Sequence, residues 1–181
     1  MRVFVVGTGR CGTVTFSKAA GHATNYTVGH ESNTGAWAKI GDWDYPDNHI
    51  EVSSHLIIAI PILRKRYPQA KWVHLIRERE ACVNSLARLR PAMRAFAYVF
   101  YQQASPNERD AAGAVYDTSN ALCRALLPPY PTFTLQLEYS REHWLSCWHF
   151  MGCEGDFKAS LAEWDVKYNA GRPHGKELQH H

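Results

Sequence analysis

The sequence lacks an apolar run long enough to cross a membrane. Its longest run, Leu56–Leu63, stops after eight residues and contains Pro61, whereas a membrane helix needs about 20 apolar residues. The segment from Met1 to Val6 also lacks the longer apolar stretch and small-residue cleavage site of a signal peptide. We therefore expect a cytoplasmic protein whose first segment is a buried strand.

Paired cysteines and a strong net charge are lacking as well. The five cysteines, at positions 11, 82, 123, 147 and 153, form no Cys-x-x-Cys pair. Their odd number favours free thiols in a reducing compartment over a disulfide framework. The formal net charge of +3 allows an anionic ligand but is too small to indicate DNA binding. We assign no function to His180 and His181.

What the chain does contain is an alternation of short apolar strands with helices. Its 181 residues suit one domain, 1–181, with an irregular C-terminal tail from about residue 165. Residues 34–48 read as a loop, and Pro61 should kink the helix that follows a cap at Ser53 or Ser54. The predicted strands are Arg2–Val6, Tyr26–Val28, Lys71–Ile76 and Thr132–Leu137, and the predicted helices are Thr13–Ala20, Arg79–Leu89, Ala92–Gln103, Arg109–Leu127 and Ser140 to about Gly152.

This order predicts a three-layer α/β fold of the P-loop-like kind, with a mostly parallel central sheet flanked by helices. Ligands of such sheets bind at the carboxyl ends of the strands. The glycine-rich segment 7–12, the pair His30-Glu31 and Arg77 all follow or end predicted strands. We expect them to share one site.

The glycine-rich segment has the spacing of a P-loop, because Gly7 and Gly12 are separated by four residues after a buried strand. Backbone N–H groups in such a loop can cradle a phosphate. Thr13 stands where a nucleoside-triphosphate enzyme carries its lysine, so a central part of that machinery is missing. An ordinary strand-to-helix turn is the alternative, but the nearby Arg10 and Thr15 favour anion binding.

A second candidate anion site lies further along the chain. Arg77 ends a predicted strand, and Ser85 follows eight residues later in the next helix. Eight residues are a little more than two helical turns, so Ser85 can face the end of that strand. A guanidinium and a hydroxyl in this arrangement could bind a second phosphate.

Together the two sites resemble the family of sulfotransferases that use 3′-phosphoadenosine 5′-phosphosulfate (PAPS) as donor. The family binds the 5′-phosphosulfate with a loop of the type Arg/Lys-Ser/Cys-Gly-Thr, as in Arg10–Thr13, and the 3′-phosphate with an Arg followed eight residues later by a Ser. Segments 28–31 and 45–51 are similar to a small bacterial and phage-like branch. The resemblance implies a PAPS-binding set made of Gly9, Arg10, Cys11, Gly12, Thr13, Val14, Thr15, Arg77 and Ser85, with PAP as product and no metal.

The resemblance also implies catalytic roles. Arg10 would stabilise the leaving group of an in-line sulfuryl transfer, and Glu31 would take the proton of the acceptor, with His30 as the alternative base. Asp47, His49 and Glu51 would share one face if their segment is extended. They are candidates for lining the acceptor pocket or for bracing His30 and Glu31.

Two other functions compete with sulfuryl transfer. A P-loop kinase or NTPase would need Mg²⁺–ATP and lacks its lysine here. A non-catalytic binder of nucleotide or nucleic acid could use the basic residues between 77 and 94, but Glu78 and Glu80 interrupt them. We therefore expect a small-molecule or glycan acceptor, with no nucleic-acid or membrane partner. The sequence does not indicate an oligomeric state.

Overall fold

A computed structural model describes residues 1–32, 43–89, 94, 95, 97–99, 102, 107–128 and 130–168. The strands are β1 (Arg2–Val6), β2 (Thr27–His30), β3 (His49–Val52), β4 (Lys71–Ile76) and β5 (Thr132–Gln136), and the helices are α1 (Thr13–Ala20), α2 (Ile60–Arg66), α3 (Arg79–Ala87), α4 (Glu108–Leu126), α5 (Ser140–Met151) and α6 (Phe157–Ala162). Short 3₁₀ helices cover Ser54–Ala59, Leu137–Tyr139 and Glu163–Asp165.

The described strands form one parallel sheet in the order β2-β3-β1-β4-β5. The order reverses at β1, since the next strands along the chain lie on one side of it and β4 and β5 lie on the other. A reversal of this kind opens a crevice at the carboxyl ends of the strands. The predicted α/β fold with a mostly parallel sheet is therefore confirmed.

Both faces of the sheet are covered by helices, as the continuous apolar strands require. On one face, Val3 and Val5 pack with Phe16 of α1 and Trp144 of α5. On the other face, Phe4 and Trp72 belong to a cluster that includes Leu63 of α2 and Cys123 of α4. Many of the aromatic side chains are thus core residues.

Several boundaries differ from the sequence-based predictions. Strand β2 includes His30 instead of ending at Val28, and residues 49–52 form a strand that was not assigned. Pro61 does not kink a helix, because it lies in the first turn of α2, where its missing N–H costs no hydrogen bond. Ser53 caps the 3₁₀ helix Ser54–Ala59, which precedes α2, as predicted. Half of the predicted helix 92–103 lies outside the described residues, and residues 94, 95 and 97–99, which are described, are helical.

All five cysteines are free, as the sequence predicted, and the structure shows that all five are buried. Within the described ranges no helix is long and apolar enough to cross a membrane.

Candidate functional site

The two glycines of the P-loop spacing are needed for different reasons. A Cβ on Gly7 would lie 2.1 Å from the carbonyl oxygen of Leu75, so only glycine lets β1 end this close to β4. Gly12 has φ +97°, and a Cβ there would also lie 2.6 Å from Cδ1 of Leu137. The loop thus combines close packing at its start with a left-handed residue at its end.

The loop leads directly into the N-terminus of α1. Gly12 caps the helix without a side-chain hydrogen bond, and its carbonyl accepts the first intrahelical bond from the N–H of Phe16 at 2.9 Å. The N–H groups of Thr13, Val14 and Thr15 belong to the first turn, where a helix supplies no internal acceptor. Because that turn carries no acidic residue, its positive end suits an anion.

Arg10 connects the loop to helix α3. Its backbone is left-handed, with φ 67°, and its Nε donates a hydrogen bond of 3.0 Å to Oγ of Ser85. Arg77 donates from Nη1 to the carbonyl of Arg10 at 3.0 Å. The structure therefore brings together Arg10, Arg77 and Ser85, which the sequence assigned to two separate phosphate sites.

The surroundings of Arg77 fix its position at the end of β4. Its own carbonyl accepts a hydrogen bond of 2.6 Å from Oη of Tyr116, and its Nε lies 4.0 Å from Oε1 of Glu138. The Glu138 carboxylate also accepts the N–H of Glu78 at 3.1 Å. The guanidinium groups of Arg77 and Arg10 thus both belong to this part of the site. The carboxylate of Glu138 lies next to the guanidinium group of Arg77.

Neutral thiols lie beneath and beside the loop. Cys11 is fully buried and donates from Sγ to the carbonyl of Thr8, while Oγ1 of Thr8 lies 3.4 Å from Sγ of Cys82. Burial raises the pKa of both thiols. They therefore stay protonated at neutral pH, so Cys11 supports the loop and is not a thiolate nucleophile.

His30 and Glu31 lie at the same edge of the sheet as the loop. Nε2 of His30 is 3.2 Å from Oγ1 of Thr13, at the start of α1. Glu31 has a left-handed backbone with φ 52°, and its N–H donates to the carbonyl of Val52 at 3.0 Å. The two predicted base candidates therefore lie at the carboxyl edge of the sheet, and of these two His30 contacts the start of α1.

Sequence reasoning missed His55. Its Nδ1 lies 3.7 Å from Oε1 of Glu31, and Oγ of Ser54 donates to the same oxygen at 3.3 Å. The side chains of Glu31 and His55 are about one-third exposed, at 35% and 34%. The alternation of residues 47–51 indicated that an extended segment could end shortly before His55, but nothing in the sequence showed that its end would lie beside Glu31.

The three predicted acceptor-pocket residues occupy different environments. Asp47 is exposed and pairs with Arg2 at 2.7 Å, beyond the amino end of β3 and away from Glu31. His49 and Glu51 lie within β3 and are 8% and 0% exposed. Only these two share the predicted strand face, and both are buried.

A cleft of about 590 Å³ runs along α1 and β2 and reaches His30. It combines hydroxyl, ammonium, imidazole and carboxylate groups with two valines, and no Phe, Tyr or Trp is among the described residues that line it. The lining residues are Val14, Ser17, Lys18, Gly21, His22, Val28, His30 and Glu163. A hydrophilic molecule could approach the base candidates along this wall.

No cluster of three His, Cys, Asp or Glu residues able to hold a metal occurs in the part of the chain that the structure describes.

Comparisons with known proteins identify the fold but no close relative. No family model matches the chain, and no curated protein does. Among solved structures, the sulfotransferase domain from the curacin biosynthetic pathway matches with TM-score 0.62 and 12% identity over 87% of this chain and 75% of that chain. A sulfotransferase from Alicyclobacillus acidocaldarius gives TM-score 0.52 and 13% identity over 90% and 93%.

Mouse sulfotransferase SULT7A1, solved as a complex with PAP, matches with TM-score 0.56 and 10% identity. The aligned region covers 91% of this chain and 63% of the mouse protein. At such low sequence identities the comparison shows that the folds are similar and nothing more. The chain has the fold of sulfotransferases, with its loop, Arg77 and Glu31 along the carboxyl edge of the sheet.

Proposed function

We propose that this protein is a PAPS-dependent sulfotransferase that transfers a sulfuryl group to a hydroxyl or amine of a small-molecule or glycan acceptor and releases PAP. The observation that carries the proposal is that Arg10 contacts both Arg77 and Ser85, which brings the two candidate anion sites together. PAPS has phosphate groups at both ends of its ribose, so it needs two such sites. The sulfotransferase fold supports the same conclusion.

The loop would hold the 5′-phosphosulfate. Its anionic oxygens would accept hydrogen bonds from the first-turn amides of α1, among them those of Thr13 and Val14. Arg77 and Ser85 would hold the 3′-phosphate through a guanidinium and a hydroxyl. Arg10 is a loop residue whose side chain reaches Ser85 in α3, so a donor bound across both would contact that side chain.

In the reaction, the acceptor oxygen or nitrogen forms a bond to sulfur while the bond between sulfur and the bridging oxygen breaks. Negative charge develops on that oxygen as PAP leaves. By analogy with phosphoryl transfer, most of the catalysis would be positioning and charge stabilisation. The Arg10 guanidinium and the amides at the start of α1 would supply the stabilising charge.

Glu31 would accept the proton of the attacking group. A general base must lie within about 2.6–3.2 Å of that proton's donor, and the partly exposed carboxylate of Glu31 can be reached from solvent. His55 and Ser54 hold one of its oxygens. His30 remains the alternative base, since it borders both the cleft and the loop.

The acceptor would approach along the cleft beside α1. Because the described cleft residues are largely polar and include no Phe, Tyr or Trp, we favour a hydroxyl-rich acceptor over a flat phenol. The five buried, unpaired thiols suit a reducing compartment, and we place the enzyme in the cytoplasm as part of this proposal.

Thermal melting with PAP and with ATP–Mg²⁺ tests the donor assignment. At a hundredfold excess over Kd, a ligand of the folded state adds about 2.7 kcal/mol, which raises Tm by roughly 5–10 °C for a chain of this size. We expect this shift with PAP and little with ATP–Mg²⁺, followed by transfer of label from PAPS in a screen of acceptors. Stabilisation by ATP–Mg²⁺ alone would favour a kinase or NTPase.

A further inference from the structure

Glu51 is a fully buried carboxylate in the middle of β3. Its Oε1 accepts the N–H of Ser32 at 2.9 Å, and its Oε2 accepts the hydroxyl of Ser32. Nε2 of His49 lies 3.1 Å from Oε2, and Nδ1 of His49 is 2.8 Å from Oγ1 of Thr27. A buried carboxylate is tolerated only when donors surround it, and here Ser32 provides two of them.

The backbone of β2 leaves room for this carboxylate. A Cβ on Gly29 would lie 2.3 Å from Oε2 of Glu51, 2.6 Å from Oγ of Ser32 and 3.1 Å from Nε2 of His49. Glycine at this position therefore lets the side chain of Glu51 pass across β2 to reach Ser32. The carboxylate connects the interior of β3 to the turn that follows β2.

That turn carries Glu31, which is held on both sides. The N–H of Glu31 donates to the carbonyl of Val52, and the N–H of the next residue, Ser32, donates to Glu51. Between these two bonds the backbone of Glu31 is left-handed, with φ 52°. A non-glycine residue keeps this conformation only when its surroundings fix it, and the side chain of Glu31 then reaches Ser54 and His55.

We propose that Glu51 is a positioning residue for Glu31, rather than part of the acceptor pocket. It touches neither donor nor acceptor, since it is buried, and it acts by anchoring Ser32 so that the Glu31 carboxylate faces the reacting group. The inference rests on the proposed function for its catalytic consequence. The anchoring itself does not depend on that function.

The first test is Glu51→Gln, which keeps the shape of the side chain but replaces one of the two oxygens that accept hydrogen bonds from Ser32 with an NH₂ group. A small displacement of a catalytic group can cost about a hundredfold in rate. We expect kcat to fall by about that factor while the Kd for PAP stays within about twofold, because the donor site lies at the loop and Arg77. Asn120→Ala is the matched control, since it removes a different buried hydrogen bond, to His74, and should leave kcat unchanged.

A double variant separates positioning from general destabilisation. If Glu51 acts through Glu31, then Glu51→Gln costs no further rate in a Glu31→Gln background. The proposal would be overturned if the kcat losses of the two single variants multiplied in the double variant. It would also be overturned if Asn120→Ala lost as much kcat as Glu51→Gln. Should Glu51→Gln fail to fold, Ser32→Ala replaces it, with an expected loss of about two- to tenfold in kcat; an unchanged kcat would then contradict the proposal.

Hydrogen exchange at the Ser32 amide is a readout independent of turnover. We expect slow exchange in the wild-type protein and faster exchange in Glu51→Gln, with amides of the loop unchanged. Fast exchange in the wild-type protein would overturn the anchoring. A wild-type protein that protects Ser32 but transfers no label from PAPS would instead contradict the proposed function alone.

Discussion

Arg77→Ala gives the sharpest test of the donor site. A hydrogen bond to a charged group contributes about 1.5–3 kcal/mol, so the loss of the guanidinium should weaken PAP binding by about 10- to 150-fold. Part of that loss will come from the loop, because Arg77 also supports the carbonyl of Arg10. Ser85→Ala removes only a neutral donor, and its cost should be about two- to tenfold. Titration calorimetry with PAP measures both.

The ligand can be truncated in the same experiment. AMP lacks the 3′-phosphate, so it cannot form the contact that Arg77 is proposed to make. Arg77→Ala should therefore weaken AMP binding much less than PAP binding. Arg79→Ala is the matched control, because Arg79 is exposed and pairs with Asp117 through two hydrogen bonds of 3.0 and 2.7 Å; its PAP affinity should stay within about twofold. If AMP and PAP lose equal affinity in Arg77→Ala, the residue does not bind the 3′-phosphate.

Two further predictions concern the base and the thiols. Glu31→Gln should slow transfer by at least about a hundredfold with near-normal PAP binding, whereas His30→Gln and His55→Gln should cost less; the largest loss in either histidine variant would move the base there. Burial raises the pKa of Cys123 and Cys153 to about 12, while an unfolded thiol titrates near 8.5. Since the unfolded chain loses these protons first as pH rises, the free energy of unfolding should fall above about pH 8.5, by about 2 kcal/mol per thiol at pH 10. Equal urea midpoints at pH 7 and pH 10 would contradict this.

The sequence predicted the fold and the loop well because their signals are local. Long apolar strands such as Lys71–Ile76 and the glycine pair at 7 and 12 specify backbone structure within a few residues. The structure adds the reasons for each glycine, which depend on Leu75 and Leu137 from distant parts of the chain. The loop was predictable, but its packing against β4 and the 3₁₀ helix that follows β5 was not.

Strand β3 was not assigned because it is short and carries buried polar residues. His49 and Glu51 alternate with Ile50 and Val52, a pattern that normally indicates one solvent-exposed face. In the structure that polar face is buried, and the carboxylate of Glu51 accepts a hydrogen bond from Ser32 across β2. A contact of this kind has no sequence signature, since it depends on which strands become neighbours.

The proximity of His55 to Glu31 also depends on which strands become neighbours. The two residues are 24 positions apart, and β2 and β3 must pair in parallel before their ends meet. Sequence reasoning treated the serines before His55 only as helix caps, which Ser53 indeed is. The end of β2 was predicted to within two residues, whereas the residues beside it follow from strand order.

Backbone strain links the two ends of the candidate site. Arg10 and Glu31 both adopt left-handed conformations, which cost a non-glycine residue roughly 1–2 kcal/mol each. In each case hydrogen bonds hold the strained residue: Arg77 donates to the carbonyl of Arg10, and the carbonyl of Val52 accepts the N–H of Glu31. Strain of this kind is kept where the surrounding structure fixes a functional group. Arg10 and Glu31, two of the three residues that the resemblance assigned to catalysis, are thus held at a conformational cost. Arg77 and the Glu51–Ser32 pair hold them, so these are the residues to substitute first.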